Sequence, residues 1–103
     1  MKPISINFTD AQGKTTKTFT ACKLKTGTMD LIFDIAEKAE AYESGKLGVS
    51  EARAFFRDLK AVMVDVFGRQ FSYDELDAGV DFDELIRVFT DMCSGLTGQI
   101  SKN

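Results

Sequence analysis

Histidine is absent from this 103-residue chain, and cysteine occurs only twice, at Cys22 and Cys93. Without histidine, the sequence lacks the commonest general base at neutral pH and the commonest zinc ligand, which weighs against an enzyme. Two cysteines so far apart make neither a dense disulfide framework nor a metal-binding pair, and they read as buried reduced thiols. No apolar stretch approaches the ~18 residues that a bilayer span requires. Nor does the chain open with a basic segment followed by a long apolar run. These absences lead us to expect a soluble, cytoplasmic protein with no membrane partner.

What is present is enough for one compact domain, residues 1–103, with 44% hydrophobic and 28% charged residues. The formal charge of -3 hides an asymmetry. Residues 1–25 carry five lysines against Asp10, net +4, whereas the remainder carries 8 basic and 15 acidic residues, net -7. Such polarity suits head-to-tail association or a basic partner at the acidic end; it is equally compatible with ordinary solvated surface.

Ile4, Ile6 and Phe8 alternate with Ser5, Asn7 and Thr9, the period of two of a strand with one buried face. Turn formers follow from Asp10 to Lys14, and the stretch up to Cys22 is rich in threonine. The pattern predicts a β-hairpin over about 4–22, with Phe19 and Ala21 facing the same core as Phe8. Because an isolated hairpin is marginal in water, it must lie on helices or pair with strands of another copy.

A first helix is expected over 29–43, capped by Thr28, with Met29, Ile32, Phe33, Ala36 and Ala39 on one stripe. Leu31, Ile35 and Tyr42 widen the apolar arc to about 200°, more than one core requires. Deep burial between the hairpin and other helices is the simpler explanation; a second contact face is the alternative. After a glycine-containing break, Ser50 is placed to cap a helix over 51–67. There Ala52, Phe55, Phe56, Leu59, Val62, Met63, Val66 and Phe67 share a face.

A short helix over 73–78 is signalled twice, by a capping box between Ser72 and Glu75 and a hydrophobic staple between Phe71 and Leu76. The same grammar recurs with Asp81 and Glu84, and with Val80 and Leu85. It opens a last helix over 82–95 whose buried side is expected to hold Phe82, Leu85, Ile86, Phe89, Met92, Cys93 and Leu96. A frayed polar tail over 99–103 follows. The fold class is therefore α+β: an N-terminal two-stranded β-hairpin packed on a mainly helical body of three longer helices and one short one.

The acidic cluster from Asp74 to Glu84 fails as a calcium loop. Counted from Asp77, position 3 is Gly79 and position 6, which must be glycine, is Phe82. No spacing locates a cleft that would set two carboxylates apart for acid–base work. The hairpin lysines lack the dense basic stripe of a nucleic-acid binder. Catalytic, cofactor and metal residues are accordingly expected to be none, and nucleic acid is not expected as a partner. Tyr73, on the first turn of a short helix, is either a lid over the core edge or an interface anchor.

The run Val66-Phe67-Gly68-Arg69-Gln70-Phe71-Ser72-Tyr73-Asp74-Glu75-Leu76, followed by Gly79, Asp81 and Glu84-Leu85, resembles tail assembly chaperones of long-tailed, siphovirus-type phages of Gram-positive hosts. The specific part covers residues 66–85, and the order of elements agrees over roughly 1–96. The resemblance implies a non-enzymatic protein in the host cell cytoplasm that binds the tape measure protein and assists recruitment of the tail tube protein. It would form a homo-oligomer and be absent from the mature virion. A head-tail connector or an inhibitor of a host protein is the alternative. Contact residues expected from the pattern are Leu31, Ile35 and Tyr42 on the first helix, Tyr73, and the hairpin lysines Lys17 and Lys23.

Overall fold

The alternation of Ile4, Ile6 and Phe8 with polar residues builds the strand β1 (Ile4–Thr9), which pairs antiparallel with β2 (Thr15–Ala21) in a two-stranded sheet. The computed structural model describes residues 3–21 and 24–101, with the backbone alone for residues 96–101. Cys22 and Lys23 thus lie outside the described residues. Asp10 makes the turn: its Oδ1 accepts the backbone N–H groups of Gln12 and Lys14, each at 2.9 Å, and Gly13 supplies the left-handed residue at φ +80°. Opposite Ile4 stands Ala21, and opposite Ile6 stands Phe19, so both strands turn one apolar face inward.

Four helices follow: α1 (Thr26–Glu43), α2 (Val49–Val66), α3 (Tyr73–Gly79) and α4 (Phe82–Ser101). The α+β architecture is the expected one, but several ends fall elsewhere. For α1 the cap position is Lys25, not Thr28, because the Lys25 carbonyl already accepts from Thr28 and Met29, placing Thr28 within the first turn. For α2 it is Gly48, whose N–H is taken by the Glu51 carboxylate at 3.2 Å, and Ser50 falls inside the helix. The backbone of α4 continues through Gly95 and Gly98 to Ser101, beyond the predicted end and into the predicted tail.

The cap of α3 is the expected one. Ser72 Oγ accepts from Glu75 N–H at 3.1 Å while Glu75 returns a carboxylate to Ser72 N–H at 2.9 Å, and the staple residues Phe71 and Leu76 are both buried. These hydrogen bonds hold the Glu75 carboxyl below its usual range.

At α4 the second capping signal resolves differently. The Glu84 carboxylate reaches across to β1, accepting the Asn7 N–H at 2.8 Å, and is gripped by Arg87 at 2.7 and 2.9 Å. Arg87 in turn donates to the Ser5 carbonyl at 3.1 Å and to Asp91 at 2.9 Å, and the Thr9 hydroxyl lies 3.3 Å from Asp81. The outer edge of β1 is thereby closed by side chains of α4, which answers the open-edge problem of a two-stranded sheet. Arg87, and secondarily the Asn7 N–H, hold the Glu84 carboxyl below its usual range against the opposing effect of burial.

Inside, α2 contributes Phe55, Leu59, Val62, Met63 and Val66 to the core, as its pattern predicts. Phe8, Phe19, Phe67 and Phe71 form an aromatic cluster with neighbouring ring centroids 5.0–5.6 Å apart. Gly79 ends α3 against it: a Cβ there would stand 2.7 Å from Phe8 Cδ2, so the strand reaches α3 this closely only because the side chain is missing.

Candidate functional site

The wide apolar arc of α1 is only partly consumed by the core. Ile32 and Ile35 are buried, at 0% and 3% exposure, while Leu31 and Phe33 sit on opposite shoulders at 44% and 38%. The expectation that Phe33 lies on the buried stripe is corrected, since the centre of the arc falls between Ile32 and Ile35. Ile35 is corrected in the opposite sense. It is one of the core side chains, so of the expected outer trio only Leu31 and Tyr42 reach the surface.

On α4 two apolar ladders run side by side. Leu85, Val88 and Met92 point into the core, all three buried. Phe82, Ile86, Phe89 and Cys93 follow a 4-3-4 spacing about 100° further round the helix, and this second ladder lines a gap towards α1, with Phe89 buried at its base as part of the core. Phe82 was expected on the buried side; it is 56% exposed, because it opens the helix at the end of the second ladder, where Phe56 meets one edge of its ring and leaves the rest open.

The gap is an open groove of about 430 Å³. Ala36, Ala39 and the end of α1 form one wall, the second ladder of α4 forms the other, and Phe55 of α2 lies between them. Small alanines on the α1 wall leave the space that large aromatics on the other side do not fill. Aromatic rings run along its mouth. Tyr42 stacks on Phe55 with centroids 5.8 Å apart and meets Phe56 edge-on at 5.2 Å, and Phe56 meets Phe82 edge-on at 5.5 Å. Tyr42 is 42% exposed, so this cluster presents ring surface at both ends.

Among the described residues that line the groove, the charged ones are the carboxylates of Glu40 and Glu43; Thr90 and Ser94 add hydroxyls and Cys93 a half-buried thiol. Desolvation pushes the Cys93 thiol above its usual value, so at neutral pH it is the protonated, weakly nucleophilic form. The lining offers apolar contact with a few polar points at the rim, which is the chemistry of a binding surface.

The other expected contact residues lie elsewhere. Tyr73 is half-buried on α3 and already engaged: the Lys60 ammonium sits 5.1 Å from its ring centroid. Lys60 is also bonded to Asp77, and that bond is the main reason its pKa is raised. Lys17 is exposed on β2, where its charge adds a small lowering effect on Glu75. Lys23 is outside the described residues. Of the expected contact residues on α1, Tyr42 lines the groove and Leu31 does not; Ala36, Ala39 and the second α4 ladder, which also line it, were read from the pattern as apolar-stripe or buried positions, and Phe89 is indeed buried. The signal that could have found the ladder is the pair of interleaved 3–4 spacings on one helix, too many apolar positions for a single buried stripe.

No helix among the described residues is long and apolar enough to cross a membrane. No curated protein and no solved structure matches the chain. The sequence model of a family described as phage tail chaperone protein matches residues 1–103, the whole length. The chain belongs to this family of phage tail chaperones.

Proposed function

We propose that the protein acts in the cytoplasm of the infected host as a non-enzymatic tail assembly chaperone. In this reading it binds the tape measure protein, assists tail tube assembly and is absent from the mature virion. The observation that carries the reading is the uncovered groove between α1 and α4, with Tyr42 and Phe82 exposed at its mouth, in a member of a phage tail chaperone family. A long helical protein with apolar stripes aggregates unless those stripes are covered, and a small partner with an accessible apolar groove covers them reversibly. The resemblance seen in residues 66–85 extends the reading to long-tailed, siphovirus-type phages of Gram-positive hosts. It also suggests self-association, with the tail tube protein as a second partner.

Co-expression with the tape measure protein of the same genome tests this directly. The expected result is a larger soluble fraction of the tape measure protein and its co-purification with several copies of this chain. An insoluble, unbound tape measure protein would overturn the reading. So would this chain persisting in purified virions, the behaviour of a head-tail connector.

A further inference from the structure

The rim of the groove carries information about the shape and charge of what it holds. The α4 wall from Phe82 to Cys93 runs about 16 Å at the helical rise, room for three turns of a docked helix. Both walls are helices, whose backbone groups are already hydrogen-bonded internally, so an extended segment laid in the groove would leave those of its N–H and C=O groups that turn inward, away from water, unpaired. A helix brings those bonds with it. The apolar surface inside therefore fits side chains at i, i+3 or i+4 and i+7 of a helix.

Charge adds the second constraint. Glu40 and Glu43 are the charged residues of the lining, and no lysine or arginine among the described lining residues offsets them. They belong to a helix with five carboxylates, Asp30, Asp34, Glu37, Glu40 and Glu43, against a single lysine, and that lysine, Lys38, is paired with Asp58 at 3.4 Å. A cationic side chain lying along the α1 rim could pack its methylene stem on the Tyr42 ring and carry its charge to Glu40 or Glu43. A glutamate or aspartate in the same place would meet like charge.

We infer that the groove between α1 and α4 takes an amphipathic helix whose apolar stripe is flanked by lysine or arginine on the side facing α1. This rests on the chaperone reading above and narrows it. Within the tape measure protein, basic-flanked segments are the ones this surface selects.

The test uses the full-length wild-type protein and synthetic helical peptides of about 18 residues. One peptide carries a leucine stripe flanked by lysine, a second the same stripe flanked by glutamate, and a third the lysine peptide's composition in scrambled order. Binding is read by titration, and occupancy of the groove by the alkylation rate of Cys93, mapped by mass spectrometry. The lysine-flanked helix should slow Cys93 alkylation at least about tenfold, and the glutamate-flanked one should bind about tenfold more weakly. Neutralising the rim with Glu40→Gln plus Glu43→Gln, both surface changes, should weaken the lysine peptide by about threefold to tenfold and abolish the discrimination.

Equal binding of all three peptides, or binding that leaves Cys93 as reactive as before, overturns the inference. So does a charge preference unaffected by the double variant. If the peptides fail while the tape measure protein is still kept soluble, the chaperone reading stands and the groove assignment falls. If the lysine peptide binds as expected and the tape measure protein stays insoluble, the reverse holds.

Discussion

The molecule contains two aromatic clusters of similar chemistry and opposite condition. In the cluster of Phe8, Phe19, Phe67 and Phe71, the hairpin, α2 and the loop before α3 close over the rings, and Phe67 and Phe71 are 1% and 3% exposed. In the cluster of Tyr42, Phe55, Phe56 and Phe82 the rings contact one another just as closely, yet Phe82 remains 56% and Tyr42 42% exposed. The difference lies in coverage rather than composition. The first cluster is closed within the fold, whereas the second is anchored in the core by Phe55 and leaves the Tyr42 and Phe82 rings exposed, and the exposed rings should respond to mutation differently from the buried ones.

The sharpest contrast is expected from Phe67→Ala in the closed cluster. Removing a fully buried phenylalanine costs about 3–5 kcal/mol, a large part of the stability of a domain this size, and urea unfolding should show it as a much lower midpoint. Next is Gly79→Ala, which drives a Cβ to within 2.7 Å of the Phe8 ring. The overpacking should cost about 1–3 kcal/mol, partly offset by the better helix propensity of alanine, again read by urea unfolding.

A smaller effect is expected at the clasp that holds β1 to α4. Glu84→Gln keeps the shape but weakens the bonds to Arg87 and Asn7; because Arg87 is nearly half exposed, about 1 kcal/mol is expected at neutral pH. The folded carboxyl titrates below its ordinary value of 4.5, so its contribution is present above that pH and is lost as pH falls through the lowered folded value. Stability curves of wild type and variant should therefore converge in acid. A constant gap from pH 7 down to below pH 3 would show that the clasp does not depend on the ionised carboxylate.

The smallest stability effect belongs to Phe82→Ser at the mouth of the open cluster, about 0.5 kcal/mol or less by thermal or urea unfolding. A loss comparable to that of Phe67→Ala would erase the distinction between the two clusters.

How much of this was legible in the sequence depended on the range of the interaction. The hairpin alternation of Ile4, Ile6 and Phe8, the face of α2 and the Ser72–Glu75 capping box are local patterns, and the structure has them where the residues imply. Glu84 misled because its spacing to Asp81 is that of a capping box, while its partner, Asn7, is far away in the chain and emerges only when β1 docks on α4. Phe82 and Ile35 exchanged places for a related reason. Periodicity sorts apolar from polar positions, but it does not say which of two apolar stripes a neighbouring helix will cover. Val88 shows the same limit, fully buried on a ladder that the pattern did not separate from its neighbour. The groove itself is a vacancy between α1 and α4, and no single helix encodes it.

The central claim is that the open cluster, not the closed one, is the working surface of this chaperone. It is tested most directly by co-expressing the tape measure protein with wild type and with Phe82→Ser, while confirming that the two unfold alike. Wild type should keep the tape measure protein soluble and co-purify with it, and the variant should lose most of that effect. A Phe82→Ser protein that solubilises and co-purifies the tape measure protein as well as wild type does would contradict the claim.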